Sequence, residues 1–229
     1  MNILGIIPAR GGSKRISGKN KKLLGGKPLV EYAIQAGLES TLINEILLTS
    51  DDLEILKIGE SYPSIIKRVR PFEISGDQAL AISYVQDALA YMETDYDMIA
   101  IIQPSSPFTT AFDIDSTIKL LQNFESADSA VSVMKLDHVI QPAKIKKMEN
   151  KVLIPYFEKE NNRMAEHELP ELYVRNGSVY VSRISTIKKN RIIGDHCLGY
   201  EMPRERSLDI NDPIDFEFAK FLFNNSHEG

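Results

Sequence analysis

Residues 2–14 read NILGIIPARGGSK, an apolar run that passes directly into a basic, glycine-rich segment. The apolar half predicts a short buried β-strand, and the second half predicts a loop, because proline and glycine interrupt regular structure. In open α/β sheets, ligands bind outside the carboxyl ends of the strands. A loop directly after a first strand therefore marks the expected binding edge of a sheet.

Beyond this loop the chain alternates between predicted strands and predicted helices. Strand patterns cover residues 45–50, 64–69, 98–102, 129–134 and 174–182, and helical patterns cover residues 28–38, 78–92, 112–124 and 212–223. Such alternation is typical of a mostly parallel sheet with helices on both faces. We therefore predict an α/β fold and, in the absence of internal repeats or linkers, a single domain over residues 1–229.

The alternation stops at residues 136–169. This stretch is polar, its lysines are interleaved with acidic residues, and it has no clear helical stripe. We expect a hairpin, a lid, or an arm that reaches toward another subunit.

The composition excludes several classes of protein. The 229 residues are 43% hydrophobic and 26% charged, which is typical of a globular chain and unlike a disordered or fibrous one. No apolar run reaches the length of a membrane span, and the first residues lack the features of a signal peptide. The single cysteine fits a reducing compartment, so a soluble cytoplasmic protein is expected.

The charge is distributed unevenly along the chain. The formal net charge is −5 at pH 7, yet residues 1–30 contain no Asp or Glu. The basic residues of this segment are Arg10, Lys14, Arg15, Lys19, Lys21, Lys22 and Lys27. An acidic protein with one concentrated basic loop indicates a small anionic ligand and argues against nucleic-acid binding.

The loop at residues 8–20, PARGGSKRISGKN, has the chemistry of a triphosphate cradle. Glycines let backbone N–H groups approach oxygen atoms closely, and successive N–H groups can form an anion-binding nest. Arginine and lysine add positive charge, and arginine can bind two oxygens at once. The pattern is neither the phosphate loop nor the dinucleotide fingerprint. The alternative is an exposed basic surface loop.

Six blocks occur in a fixed order along the chain. They are IPARGGSK at 7–14 with GKN at 18–20, SDD at 50–52, RPFEISGD at 70–77, QPSSPF at 103–108, RNGSVY at 175–180 and SLDIND at 207–212. Together they closely resemble the CMP-sialic acid synthetases, or acylneuraminate cytidylyltransferases. The resemblance implies a Rossmann-like nucleotidyltransferase domain and a homodimer, with residues 136–169 as the protruding dimerisation segment.

The resemblance also implies an activity. The enzyme would transfer the cytidylyl group of CTP to the anomeric hydroxyl of a nine-carbon keto-sugar acid, a nonulosonic acid, and release pyrophosphate with Mg²⁺ as cofactor. Phosphoryl transfer depends on positioning and charge neutralisation, which a basic cradle and a metal-binding carboxylate provide. Alternatives are the same reaction on pseudaminic, legionaminic or 3-deoxy-octulosonic acid, and a non-catalytic nucleotide-sugar binding protein.

Individual roles follow from the same resemblance. Arg10, Lys14 and Lys19 would contact the triphosphate, and Asn20 and Arg70 the cytidine part. Gln103 and Tyr180 would face the sugar acid, with Lys144 near its binding region. The expected substrate-binding set is Arg10, Gly12, Ser13, Lys14, Lys19, Asn20, Arg70, Gln103, Lys144, Asn176 and Tyr180, and the expected catalytic set is Arg10, Lys19 and Asp209.

The last block departs from the family pattern in one position. The family commonly has two carboxylates two residues apart, whereas this chain has Asp209 followed by Asn211. An amide oxygen can bind Mg²⁺ but adds no charge, so we expect Asp209 as the sole carboxylate ligand, with Asn211 or water completing the shell. The nearby Asp212 is expected to cap the next helix.

Overall fold

The computed structural model describes residues 1–137, 140–157 and 170–225. Its strands are β1 (Ile3–Pro8), β2 (Leu23–Leu24), β3 (Lys27–Pro28), β4 (Glu45–Ser50), β5 (Ile65–Val69), β6 (Met98–Ile102), β7 (Ser129–Lys135), β8 (Lys146–Glu149), β9 (Val152–Pro155), β10 (Tyr173–Arg183) and β11 (Cys197–Glu201). Seven of them form one sheet in the order β11-β7-β10-β6-β1-β4-β5. The pairs β2–β3 and β8–β9 form separate two-stranded sheets.

The seven-stranded sheet is parallel except at one strand. β10 runs antiparallel to both of its neighbours, β6 and β7, and every other pairing in this sheet is parallel. The predicted mostly parallel sheet is therefore confirmed. The exception matters for the site, because the N-terminal half of β10 lies at the edge where the parallel strands end.

Helices cover both faces of the sheet, as predicted. They are α1 (Leu29–Glu39), α2 (Leu53–Gly59), α3 (Ala81–Tyr91), α4 (Ala111–Asn123), α5 (Ile184–Lys188) and α6 (Pro213–Asn225). α1, α2 and α4 pack on one face around residues such as Ile7 and Leu48. α3 and α5 pack on the other face against Ile6 and Ile101. Each fully buried aliphatic side chain contributes roughly 1.5–3 kcal/mol of hydrophobic stabilisation.

The structure corrects some predicted boundaries. α3 begins at Ala81, after a short 3-10 turn at Phe72–Ile74, so the residues predicted as its first turn belong to a loop. The sequence analysis did not predict β11 and α5. Both have only five residues, too few for a clear periodic pattern, and β11 has a glycine at its centre.

Residues 136–169 lie partly outside the described residues, which omit 138–139 and 158–169. The described part contains the β8–β9 hairpin, one of the three expected forms. Its apolar side chains Met148, Val152 and Leu153 are exposed. Across the described ranges, no helix combines the length and apolarity needed to cross a membrane.

Candidate active site

The predicted binding edge of the sheet carries a set of polar side chains. β1, β4, β5 and β6 end immediately before or close to Arg10, Asp51, Arg70 and Gln103. Because β10 is antiparallel, its beginning lies at the same edge, and the Gln103 N–H donates to the carbonyl of Ser178 at 3.0 Å. Parallel topology thus brings together residues from four distant sequence blocks.

The basic loop is held against the end of β4. The Gly11 N–H donates to Asp51 Oδ1 at 2.8 Å, and Asn20 Nδ2 donates to the Arg10 carbonyl at 2.8 Å. A Cβ at Gly11 would lie 2.7 Å from the Cβ of Asp52, so this approach requires glycine. At Gly12 an added Cβ would have no neighbour within 4 Å. The loop is therefore anchored at one glycine and open at the next.

A cavity of about 370 Å³ lies beside the loop, and we call it the nucleotide cavity. It is lined by Arg10, Gly12, Ser13, Lys14, Asp51, Phe72, Ser75, Gly76 and Asp77. Four predicted substrate-binding residues are thus brought together.

Sequence analysis gave no individual role to Asp77, the last residue of the block at 70–77. Its carboxylate binds Arg10 at 2.7 Å and Lys14 at 2.5 Å. Hydrogen bonds from Lys14, the larger influence, and from Arg10 hold the pKa of Asp77 below its usual value. Asp77 is therefore the internal counter-ion of the nucleotide cavity.

Arg70 is buried beside the end of β4, where its N–H donates to the Ser50 carbonyl at 2.8 Å. Its guanidinium donates to the Thr49 carbonyl at 3.0 Å and lies 4.9 Å from the centre of the Tyr84 ring. Burial lowers the pKa of Arg70 from its ordinary value, but an arginine remains charged at neutral pH. Tyr84 also lines a second cavity together with Gln103, so it connects Arg70 to the next part of the site.

A second cavity, of about 240 Å³, lies on the α3 side of the sheet. We call it the acceptor cavity. It is lined by Ala81, Tyr84, Ile101, Gln103, Arg175, Tyr180, Ile192 and Ile193. Gln103 and Tyr180 are thus together, as expected. Burial raises the pKa of Tyr180, so its hydroxyl stays protonated and can donate a hydrogen bond. Lys144 is exposed on the turn before β8 and lines neither cavity.

Lys19 and Asp209 line neither cavity, but both are near residues that do. Lys19 Nζ donates to the Ile210 carbonyl at 2.7 Å. Burial lowers the pKa of Lys19, and the neighbouring Asp209 carboxylate partly opposes this effect. The Asp209 charge also acts on Tyr180 in the acceptor cavity. Lys19 and Asp209, two of the three predicted catalytic residues, are therefore near the predicted substrate-binding residues of both cavities.

The backbone around Asp209 depends on Gly177. This residue has a φ of 81°, and an added Cβ would lie 3.1 Å from Asp209 Oδ2. Both the left-handed conformation and the close approach favour glycine here.

Asn176 supports the same region from behind. Its Oδ1 accepts from Ser132 Oγ at 2.6 Å, and its Nδ2 donates to Ser207 Oγ at 2.9 Å. The side chain is buried and ties β10 to the segment that carries Asp209. A direct substrate contact of Asn176 stays a prediction.

The residues around Asp209 fit a single bound cation. Asp209 Oδ1 is buried and has no hydrogen-bond partner in the described part of the chain. Within the described ranges, no three or more His, Cys, Asp or Glu side chains form a cluster that could hold a metal ion. Mg²⁺ is commonly held by one or two carboxylates together with substrate phosphates, so one unpartnered carboxylate oxygen suffices.

Asn211 presents its nitrogen, not its oxygen, to Asp209. Asn211 Nδ2 donates to Asp209 Oδ2 at 2.8 Å, and Asn211 Oδ1 lies 3.5 Å from Arg15 Nη2. A metal ligand at Asn211 would require the amide to turn, and this role stays a prediction. Asp212 caps α6 as expected, because its Oδ1 accepts from the N–H groups of Ile214 and Asp215.

Two solved structures share the fold of this chain. The chain matches CMP:2-keto-3-deoxy-manno-octonic acid synthetase complexed with CTP with a TM-score of 0.73 and 13% identity, covering 99% of this chain and 100% of that one. It matches 4-diphosphocytidyl-2C-methyl-D-erythritol synthase from Anaerococcus prevotii with a TM-score of 0.67 and 15% identity, covering 97% and 96%. At these identities the likeness shows the Rossmann-like fold alone.

A family model described as Cytidylyltransferase matches residues 4–200, and the chain belongs to this family. The N-acylneuraminate cytidylyltransferase of Escherichia coli is 33% identical over 95% of this chain and 51% of its own length. The pseudaminic acid cytidylyltransferase of Campylobacter jejuni is 30% identical, and the CMP-N,N'-diacetyllegionaminic acid synthase of Legionella pneumophila 29% identical, each over 100% of this chain and 99% of its own length. The chain thus spans about half of the first relative and nearly all of the other two. The family resemblance and the prediction of a nucleotidyltransferase enzyme are confirmed.

Proposed function

We propose that the protein is a CMP-nonulosonic acid synthetase. It transfers the cytidylyl group of CTP to the anomeric hydroxyl of a nine-carbon keto-sugar acid and releases pyrophosphate. One observation carries the proposal: Lys19 of the basic loop donates to the carbonyl of Ile210, the neighbour of Asp209, and Asp209 lies against Gly177 on β10, the strand that carries Tyr180. A nucleotide and an acceptor bound in the two cavities would therefore meet at Asp209.

The nucleotide cavity supplies the charge that a triphosphate requires. Arg10 and Lys14 already hold one anion, the Asp77 carboxylate, within hydrogen-bond distance. A triphosphate bound there would take the place of this carboxylate on both cations. Arg10, Lys14 and Lys19 then neutralise the charge that moves onto the pyrophosphate leaving group.

In the transfer step, the anomeric hydroxyl of the acceptor attacks the α-phosphorus in line. A new bond joins the sugar oxygen to this phosphorus, and the bond from the α-phosphorus to the oxygen that bridges it to the β-phosphate breaks. Pyrophosphate leaves with that oxygen, and the proton of the hydroxyl passes to solvent water. Asp209 would hold Mg²⁺ through its unpartnered Oδ1, and the bound ion would neutralise phosphate charge. Gln103 and Tyr180 orient the acceptor by hydrogen bonds.

The proposed class of acceptor, the nine-carbon keto-sugar acids, contains several candidate substrates. Three relatives with similar sequence identity to this chain are named for three different acids: N-acylneuraminic, pseudaminic and diacetyllegionaminic acid. The eight-carbon 3-deoxy-octulosonic acid is the weaker alternative, since the neighbour named for it is only 13% identical.

We further infer a homodimer formed through residues 136–169, supported by the exposed apolar side chains of the β8–β9 hairpin. Size-exclusion chromatography with light scattering tests this assembly.

Pyrophosphate release tests the proposed function. The protein is incubated with CTP, Mg²⁺ and, in turn, several nine-carbon keto-sugar acids and the eight-carbon acid. UTP and reactions without sugar are the controls. We expect release with CTP and at least one nine-carbon acid. Release with none of them, from folded protein that binds CTP, would contradict the proposal.

A further inference from the structure

Arg175 differs from the other arginines in the described ranges. Each of those places its guanidinium within 3.5 Å of a protein oxygen, whether a carboxylate, a carbonyl or a side-chain oxygen. Arg175 makes no ion pair or side-chain hydrogen bond within residues 1–137, 140–157 and 170–225. Its side chain nevertheless lines the acceptor cavity.

A β-bulge places Arg175 on this cavity. In a regular strand, residues separated by an odd number point to opposite faces, so Arg175 and Tyr180 would face apart. The register against β7 shifts between them, because Arg175 pairs with Val133 and Tyr180 pairs with Val131. Val131 and Val133 share a face, so Arg175 and Tyr180 do too. Bulges commonly redirect side chains in this way next to active sites.

The charge of Arg175 reaches the interior of the cavity. After burial, which raises the pKa of Tyr180, Arg175 is the largest influence on that hydroxyl and acts in the opposite direction. Asp209 acts on the same hydroxyl with the sign of an anion. A cation and the predicted metal-binding carboxylate are therefore both near the Tyr180 hydroxyl.

We infer that Arg175 binds the carboxylate of the sugar acid and thereby restricts the acceptor to keto acids. This inference rests on the proposed function. In such an acid, one carbon atom carries both the attacking hydroxyl and the carboxylate. A carboxylate on Arg175 would turn the hydroxyl toward Lys19 and Asp209. A guanidinium suits this task because it binds both oxygens of a carboxylate in one plane.

Other cations near the site fit this role less well. Lys144 lies outside the lining of the acceptor cavity. Arg10 and Lys14 are held by Asp77 in the nucleotide cavity. Arg15 lies beside Asn211. Among residues 1–137, 140–157 and 170–225, Arg175 is thus the one cation that lines the acceptor cavity.

Substitution of Arg175 tests the inference. Arg175→Met removes the charge and keeps an apolar stem, whereas Arg175→Lys keeps the charge. Arg204→Met is the matched control, since it removes an exposed arginine that pairs with Asp137 outside both cavities. For each variant, KM and kcat are measured with the accepted acid and with CTP, and thermal melting verifies the fold.

We expect Arg175→Met to raise KM for the acid about 10- to 100-fold, the effect of losing a charged hydrogen bond. KM for CTP should stay near the wild-type value, and Arg175→Lys should recover part of the loss. The methyl ester of the acid, which lacks the negative charge, should be used equally poorly by wild type and Arg175→Met. Equal losses for CTP and acid, or an unchanged KM for the acid, would overturn the inference.

Failure of the proposed function is separable from failure of this inference. If the wild type releases no pyrophosphate, calorimetric titration of the acids in the presence of CTP replaces the kinetic assay. Acid binding that Arg175→Met abolishes and Arg204→Met retains would support the inference without turnover. Wild-type protein that binds none of the acids would overturn it.

Discussion

The two cavities of the site differ in how their charges are satisfied. In the nucleotide cavity, Arg10 and Lys14 share the carboxylate of Asp77, and the buried Arg70 nearby in the site binds a carbonyl and an aromatic ring. In the acceptor cavity, Arg175 has no anionic partner within the described ranges, and aliphatic and aromatic side chains form most of the wall. One cavity carries its own counter-ion, and the other leaves a charge for its ligand.

This difference suggests how the two substrates are recognised. Paired charges hold the basic loop in place before the nucleotide arrives, at the cost of displacing Asp77. Arg175 is exposed but lines a largely apolar pocket, so an anionic ligand bound there would supply the partner that it lacks within the described ranges. Because relatives of this chain are named for different acids but share the cytidylyl group, we expect specificity to be set in the acceptor cavity.

The largest effect is expected at the support that both cavities share. Arg206 binds the fully buried Asp113 through two hydrogen bonds of 2.8 and 3.0 Å, which fixes the segment leading to Asp209 against α4. Arg206→Met leaves this carboxylate buried without its cation, so the free energy of unfolding should fall by about 2–4 kcal/mol. Urea denaturation measures this change, with Arg204→Met as the control that removes an exposed pair.

This loss should depend on pH. Burial alone would raise the pKa of Asp113, but hydrogen bonds from Arg206 and Thr110 hold it below its ordinary value. A carboxyl whose folded pKa is depressed stabilises the fold above its unfolded pKa, about 3.9. That contribution is lost as the pH falls through the folded value. The difference between wild type and Arg206→Met should therefore shrink below about pH 4, and a constant difference would contradict the argument.

The next effect distinguishes chemistry from binding. Lys19→Met removes the cation beside Asp209, and we expect kcat to fall about 100-fold, as for other groups that stabilise transition-state charge. KM for the acid should change far less. Lys27→Met is the control, because Lys27 is exposed and donates to Gln35 outside the site. Pyrophosphate release measures both variants; an equal rise in KM for the acid would show that Lys19 also holds the acceptor.

The two cavities also differ in how far the sequence alone revealed them. The nucleotide cavity follows from one continuous loop after a first strand, and the parallel strands bring Asp51 and Arg70 to it. Arg175 is different, because strict alternation along β10 places it on the face opposite Tyr180. The bulge that reverses this depends on pairing with β7 and on the positive φ of Gly177, and neither is encoded as a local pattern. Asp77 was visible as a residue, but its partners lie across the cavity.

A smaller effect concerns the metal. Asn211→Asp places a second carboxylate beside Asp209 and removes the amide that donates to Asp209 Oδ2. The Mg²⁺ concentration for half-maximal activity should therefore fall roughly 3- to 10-fold, since ligand charge tunes the affinity of such sites. Without Mg²⁺, the two like charges should lower the melting temperature. Titrations of activity with Mg²⁺ compare the variant with wild type, and identical metal dependence would contradict the assignment of Asp209 as the sole carboxylate ligand.

The smallest effect tests the comparison itself. Asp77→Asn removes the internal counter-ion of Arg10 and Lys14, both of which are partly exposed. Exposed ion pairs are weak, so CTP should bind only about two- to fivefold more tightly, and the gain should fade at high salt because screening weakens such pairs. Calorimetric titration with CTP at two ionic strengths measures it, with Glu217→Gln on α6 as the control for an exposed pair outside the site. Weaker CTP binding in Asp77→Asn would mean that the carboxylate positions the two cations for the nucleotide. Asp77 would then remain paired with Arg10 and Lys14 when CTP is bound, and the triphosphate would not displace it.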